Sequence, residues 1–189
     1  MPVFRKTVIL TLMGLAVLSF GCQKDLKPNP PAASLQPAQI YYTQFSLFQE
    51  KDSFRTTNYR KGQLIPINTA VTLQSMESDE AKLKLVDNGR PLTIENVAKF
   101  TKDDMQTAFN KIAGPNKVDL SRFSADERDA IQAGQVRQGM SKKAVLAAIG
   151  YPPQHETPSL EGNTWTYWSN LFNKFIVKFK NDKVESIVD

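Results

Sequence analysis

From Asn163 to Val188 large apolar residues recur at alternate positions: Trp165 and Tyr167, then Phe175, Val177 and Phe179, then Val184. Successive side chains of a strand point to opposite faces, so this spacing lines one face of a sheet. Lys174, Lys178 and Lys180 fall on the other face, which belongs in water. Asn181-Asp182 supplies a turn, and Lys183 to Val188 returns with Val184 and Ile187. A sheet apolar on one face must bury it against another layer. The residues just upstream supply that layer. Ser124-Ala-Asp-Glu127 is a capping box opening a helix whose face includes Ile131 and which Gly134 ends. Ser141 caps a second helix running to Ile149, with Val145, Ala148 and Ile149 on one stripe. Gly150 follows it, and Pro152-Pro153 prevents continuation. Residues 123–189 therefore read as a two-layer α+β unit of order ααβββ.

Residues 39–100 have a different texture. Ile40 to Phe48 is rich in aromatics (Tyr41, Tyr42, Phe45, Phe48). Pro66 in Leu64-Ile65-Pro66-Ile67 marks a strand edge or end. Val71 and Leu73 alternate with Thr72 and Gln74, and Leu83 and Leu85 repeat the pattern. Asn88-Gly89 then separates them from Leu92 and Ile94, a tight hairpin signal in which both turn residues take positive φ. Four or five short strands here predict a small antiparallel β domain that looks loosely like an SH3-type barrel. Residues 101–122 read as a helical connector. Thr101 caps a helix to Ile112, Asp103 and Asp104 sit in its first turn, and Met105, Ala108, Phe109 and Ile112 share a face.

The N-terminus has targeting character. Arg5 and Lys6 precede 14 uncharged residues, Thr7 to Phe20. That fits the apolar core of a signal peptide and is short of the ~20 residues a spanning helix needs. The run ends in Leu18-Ser19-Phe20-Gly21-Cys22, which resembles the lipobox of bacterial lipoproteins. The resemblance implies a signal peptide over 1–21, a cut before Cys22 and membrane attachment through lipid on Cys22. Cys22 is the only cysteine of the chain. Residues 22–38 then form a linker with four prolines, able to reach roughly 50 Å. Without residues 1–21 the chain keeps 22 of its 24 basic residues against 19 acidic ones, a net +3. So mild a charge does not suggest a nucleic-acid partner.

Gly134-Gln135-Val136, Gly139-Met140, Val145, Ile149-Gly150-Tyr151-Pro152, Trp165-Thr166-Tyr167, Phe179, Val184 and Ile187 form a series. It resembles the small lipoproteins called SmpA, OmlA or BamE, over Gly134 to Ile187. The resemblance implies an outer-membrane lipoprotein facing the periplasm, accessory to the machinery that assembles β-barrel membrane proteins. It implies binding to partner proteins and to anionic phospholipid, with no catalysis. Gln23, in place of Asp after the lipidated cysteine, accords with the outer membrane. The β region from Ile40 to Phe100 is an addition that classical small members lack.

Read without the family, Gly139, Met140, Val145, Gly150, Pro152, Trp165 and Tyr167 are fold-makers. A binding surface is expected on Tyr151, His155, Trp168, Phe172 and Lys174, with Trp168 on the sheet face opposite Trp165 and Tyr167. The chain has one His, His155, and one Cys, too few for a His/Cys metal centre, and no nucleophile or phosphate-loop motif. Asp103-Asp104 and Asp126-Glu127 read as helix-dipole partners. The expectation is a non-catalytic interaction module without cofactor or metal. Two rivals are a ligand-binding or enzyme-inhibitor module using an aromatic sheet face, and a peptidoglycan contact through the β domain.

Overall fold

The computed structural model describes residues 39–169 and 172–189; the leader over 1–21, Cys22 and the linker to Ala38 lie outside the described residues. The chain is mixed α+β, with a curled sheet and few helices. Seven strands, not four or five, occupy the first part: β1 (Ile40–Thr43), β2 (Leu47–Gln49), β3 (Ser53–Arg55), β4 (Gln63–Ile65), β5 (Ala70–Met76), β6 (Glu80–Leu85) and β7 (Pro91–Glu95). Three of them are only three residues long, below what alternation can reveal. With β8 (Ala113–Gly114), the larger sheet runs β3-β7-β6-β5-β1-β8, and β2 pairs with β4 in a separate ribbon. The sheet is mixed, since β3 lies parallel to β7. As the sequence predicts, Pro66 lies just past a strand end.

Val71, Leu73, Ala81, Leu83, Leu85, Leu92 and Ile94 point into one core, as their alternation requires. Helix α2 (Met105–Ile112) closes it with Met105, Ala108, Phe109 and Ile112. Its start corrects the sequence reading. Thr101 ends a separate short helix, α1 (Ala98–Thr101), and Lys102 at φ +63° breaks the path. Asp104 is the cap, accepting from the Thr107 N–H, and Asp103 stands outside the helix. The hairpin at Asn88-Gly89 also differs. Val86 to Arg90 form a longer loop between β6 and β7, and only Gly89 of the pair has positive φ, at +70°.

The second part follows the predicted order: α3 (Ala125–Gln132), α4 (Lys142–Ile149), β9 (Thr164–Trp168), β10 (Lys174–Lys180) and β11 (Lys183–Val188), paired β11-β10-β9. Trp165, Tyr167, Phe175, Val177, Phe179 and Val184 face α3 and α4 in a second core. Asn181 and Asp182 both take positive φ, the requirement of a tight hairpin. A bulge past Val184 shifts the register, so Phe179 faces Val184 while Val177 faces Ile187. That extra residue is why Val184 and Ile187, three apart, both reach this core.

The two cores interlock. Tyr59 and Ile67, from the first part of the chain, belong to the second core. Gly134 (φ +62°) and Gly150 (φ +82°) end the two helices and also receive side chains from the β region. A Cβ on Gly150 would stand 2.5 Å from Phe45 Cε2, and one on Gly134 would stand 2.9 Å from both Phe48 Cε2 and Leu64 Cδ1. With ψ at −168°, Gly150 occupies a region open essentially to glycine alone. Buried Ser46 crosses the seam: its hydroxyl donates to the Ile131 carbonyl (2.7 Å) and accepts from the Ile67 N–H (3.0 Å).

Glu127 does more than favour a helix dipole. Its carboxylate accepts from the Ser124 N–H (3.1 Å) and the Ser141 N–H (2.7 Å), and Lys183 Nζ lies 3.5 Å away. It thus joins both helices to β11. Burial would raise its pKa, but the hydrogen bonds from Ser141 and Ser124 and the Lys183 charge outweigh that and hold it at about 2, below the ordinary 4.5. A depressed carboxyl pKa contributes stability that is complete above pH ~4.5 and lost as pH falls towards 2. Glu127→Gln is therefore predicted to cost about 2 kcal/mol at pH 7. Urea unfolding at pH 7 and pH 3 checks this: the gap between variant and wild type should narrow at pH 3.

Candidate functional site

Where the two parts meet, the seam leaves two concavities. The smaller is a pocket of about 350 Å³. Phe45, Phe54 and Tyr59 reach it from the β region, Ala108 and Ile112 from α2, and Pro152, Pro158 and Leu160 from the loop after α4. Its polar rim includes Asp103, Lys111, Tyr151 and Gln154. Lys111 Nζ sits 2.8 and 2.6 Å from the two Asp103 oxygens and 5.5 Å above the Tyr151 ring. The Tyr59 hydroxyl donates to the Tyr151 carbonyl at 3.0 Å, fixing one wall to the other. Burial pushes the Tyr59 phenol well up, so it stays neutral as that donor.

The larger concavity, about 820 Å³, opens beside it. Val97, Phe100, Trp168 and Phe172 form its apolar wall, and Arg55, Lys61, Lys99 and Glu50 its charged one. Glu50 pairs with Lys61 at 2.8 Å, and Lys99 Nζ lies 4.7 Å over the Phe100 ring. Phe172 is 88% exposed.

The five residues expected to form a surface are therefore spread along the seam. Tyr151 is on the pocket rim, while Trp168 and Phe172 are in the groove. His155 is exposed, its N–H donating to the Phe100 carbonyl at 3.0 Å and its ring 6.0 Å from that of Phe100. Lys174 pairs with Glu156 at 2.8 Å and lies 4.9 Å over the Trp168 ring. Trp168 is not on an open sheet face. It is half-buried, because Phe100 covers it at 5.6 Å between ring centroids. Phe100, Tyr59 and Lys111 complete the two concavities and were not singled out by sequence. Phe100 meets Trp168, Tyr59 meets Tyr167 and Lys111 meets Tyr151 across 68, 108 and 40 positions of chain, beyond any local pattern.

Met140, Val145, Gly150, Pro152, Trp165 and Tyr167 are buried, and Gly139 takes φ +85° at a turn. The Trp165 Nε1–H donates to the Leu160 carbonyl and the Tyr167 hydroxyl to the Gly150 carbonyl, both at 3.2 Å. Among the described residues, no three or more His, Cys, Asp or Glu side chains group as a metal site, and no helix is long and apolar enough to cross a membrane. No family model, curated protein or solved structure matches the chain.

Phe100 is the piece that links the groove to His155 and Trp168. Phe100→Ala is predicted to expose Trp168, shift tryptophan emission to the red, and cost about 2 kcal/mol in stability. Trp165, 1% exposed in the second core, should keep its blue component. Emission spectra with acrylamide quenching would show this.

Proposed function

We propose that this protein is an envelope lipoprotein, held by lipid on Cys22 to the periplasmic side of the outer membrane, that works as a non-catalytic binding module. In this reading residues 39–100 are an SH3-like barrel and residues 123–189 a BamE-like ααβββ unit. The partner is an envelope protein, with the β-barrel assembly machinery the first candidate. Anionic phospholipid is a second contact that the resemblance implies. The order α3, α4, β9, β10, β11 with β10 central supports the second assignment.

The observation that carries the binding role is the larger groove. It is open, and it joins aromatic side chains to cations: Phe100, Trp168 and Phe172 beside Arg55, Lys61 and Lys99. Aromatic residues and arginine are the types that concentrate binding energy at protein interfaces. Both parts of the chain build it, so a partner seated there reads a surface that neither part presents alone.

Site-specific photocrosslinking in intact cells tests the proposal. A photoreactive residue at Arg55 or Phe172 is predicted to give a discrete adduct with a barrel-assembly subunit. Lys84, exposed on β6 outside the groove, should give none. Adducts from Lys84 as strong as those from Arg55, or none from either groove position, would remove the support for this surface. Cys22→Ala should release the protein from the membrane fraction.

A further inference from the structure

We infer that the smaller pocket binds one uncharged amphiphile: a single acyl or aryl chain of about a dozen carbon-sized groups, ending in a hydroxyl or amide head. This site is separate from the groove and does not depend on the partner reading.

Size sets the first limit. A pocket of about 350 Å³ is at the small end of ligand sites. At the ~30 Å³ that a water-sized group occupies in a liquid, it takes about a dozen such groups. The walls set the second limit. Phe45, Phe54, Tyr59, Ile112 and Leu160 offer aromatic and aliphatic surface, which favours an apolar chain.

The rim decides the head group. Asp103 and Lys111 neutralise one another, with both carboxylate oxygens within 2.8 Å of the ammonium. The Asp103 side chain is only 13% exposed. An anionic head drawing Lys111 away would leave that carboxylate poorly solvated and unpaired, and a cationic head would have to displace Lys111 from it. A hydroxyl or amide leaves the pair intact. It can donate to Asp103 and accept from Lys111 or the Gln154 amide at the same rim.

The pocket is also held open before any ligand arrives. Phe45 is seated on Gly150, and Tyr59 is tied to the Tyr151 carbonyl. The Thr157 hydroxyl, on the third wall, accepts from the Thr166 N–H at 2.9 Å. Anchored walls lower the ordering cost of binding.

The test uses the whole mature chain with Cys22→Ser, free of lipid and detergent so that no other acyl chain competes. Decanol is titrated below its solubility limit, and decanoate and decyltrimethylammonium below their micellar concentrations, with calorimetry and amide chemical shifts as readouts. Decanol is expected to saturate at one per chain, with shifts confined to the pocket walls, and at least ten-fold tighter than either charged probe. Ala108→Met narrows the pocket and should weaken decanol at least ten-fold. Lys111→Met keeps the backbone hydrogen bonds of Asp103, from Asn96 Nδ2 to its carbonyl and from its N–H to Thr101 Oγ1, and strips its carboxylate of the cation. In that variant the preference should turn to decyltrimethylammonium. Equal affinity for the three heads in the wild type, or shifts outside the pocket, would overturn the proposal. So would the absence of saturable decanol binding, or no change of head preference in Lys111→Met.

Discussion

Phe45 packed on the bare backbone of Gly150 is the contact on which the arrangement of this chain turns. It works only because position 150 has no side chain, and because its backbone lies in a region that other residues avoid. Gly134 repeats the device with Phe48 and Leu64. Each glycine ends a helix, and each ending doubles as a socket. The β2–β4 ribbon is thereby pressed against the ends of α3 and α4, and Tyr59 and Ile67 are carried into the second core. Ser46 satisfies its own polar atoms across the same seam, so the junction buries no loose hydroxyl there.

Both concavities follow from that junction. Phe45, seated in one socket, lines the pocket, and the groove lies between the 55–61 segment, Phe100 and Trp168. Their characters differ because different segments border them. Tyr151, Pro152, Pro158 and Leu160 of the 151–160 loop line the pocket, whereas the cations of β3 and the 57–61 segment reach the groove. Function, in this account, belongs to the seam and not to either core.

Much of the fold was legible in the sequence. Alternation in β9 and β10, the capping box at Ser124, the cap at Ser141 and the turn at Asn181-Asp182 are local signals, and each held. The errors have local causes too. Asp104 outcompetes Thr101 as a cap because Lys102 turns left-handed between them. Asn88 stays out of the positive-φ region because the loop closes through Leu85 and Arg90 at greater length. The site was legible only by half. Tyr151, Trp168 and Phe172 could be marked as loop or sheet-face aromatics, but their counterparts Tyr59, Phe100 and Lys111 come from distant segments. Pairings of that range are made by tertiary packing, which leaves no spacing rule to read. Gly150 shows the same division: its helix-ending role was visible, its role as a socket for Phe45 was not.

If the sockets bind the two cores into one cooperative structure, neither core should open without the other. Native-state hydrogen exchange at Leu83, in the middle of the larger sheet, and at Val177, in the central strand of the smaller one, measures this directly. The account predicts equal opening free energies at the two amides, and an equal fall of about 3 kcal/mol at both in Gly150→Ala. A Gly150→Ala variant in which one amide loses protection while the other keeps it would contradict the account.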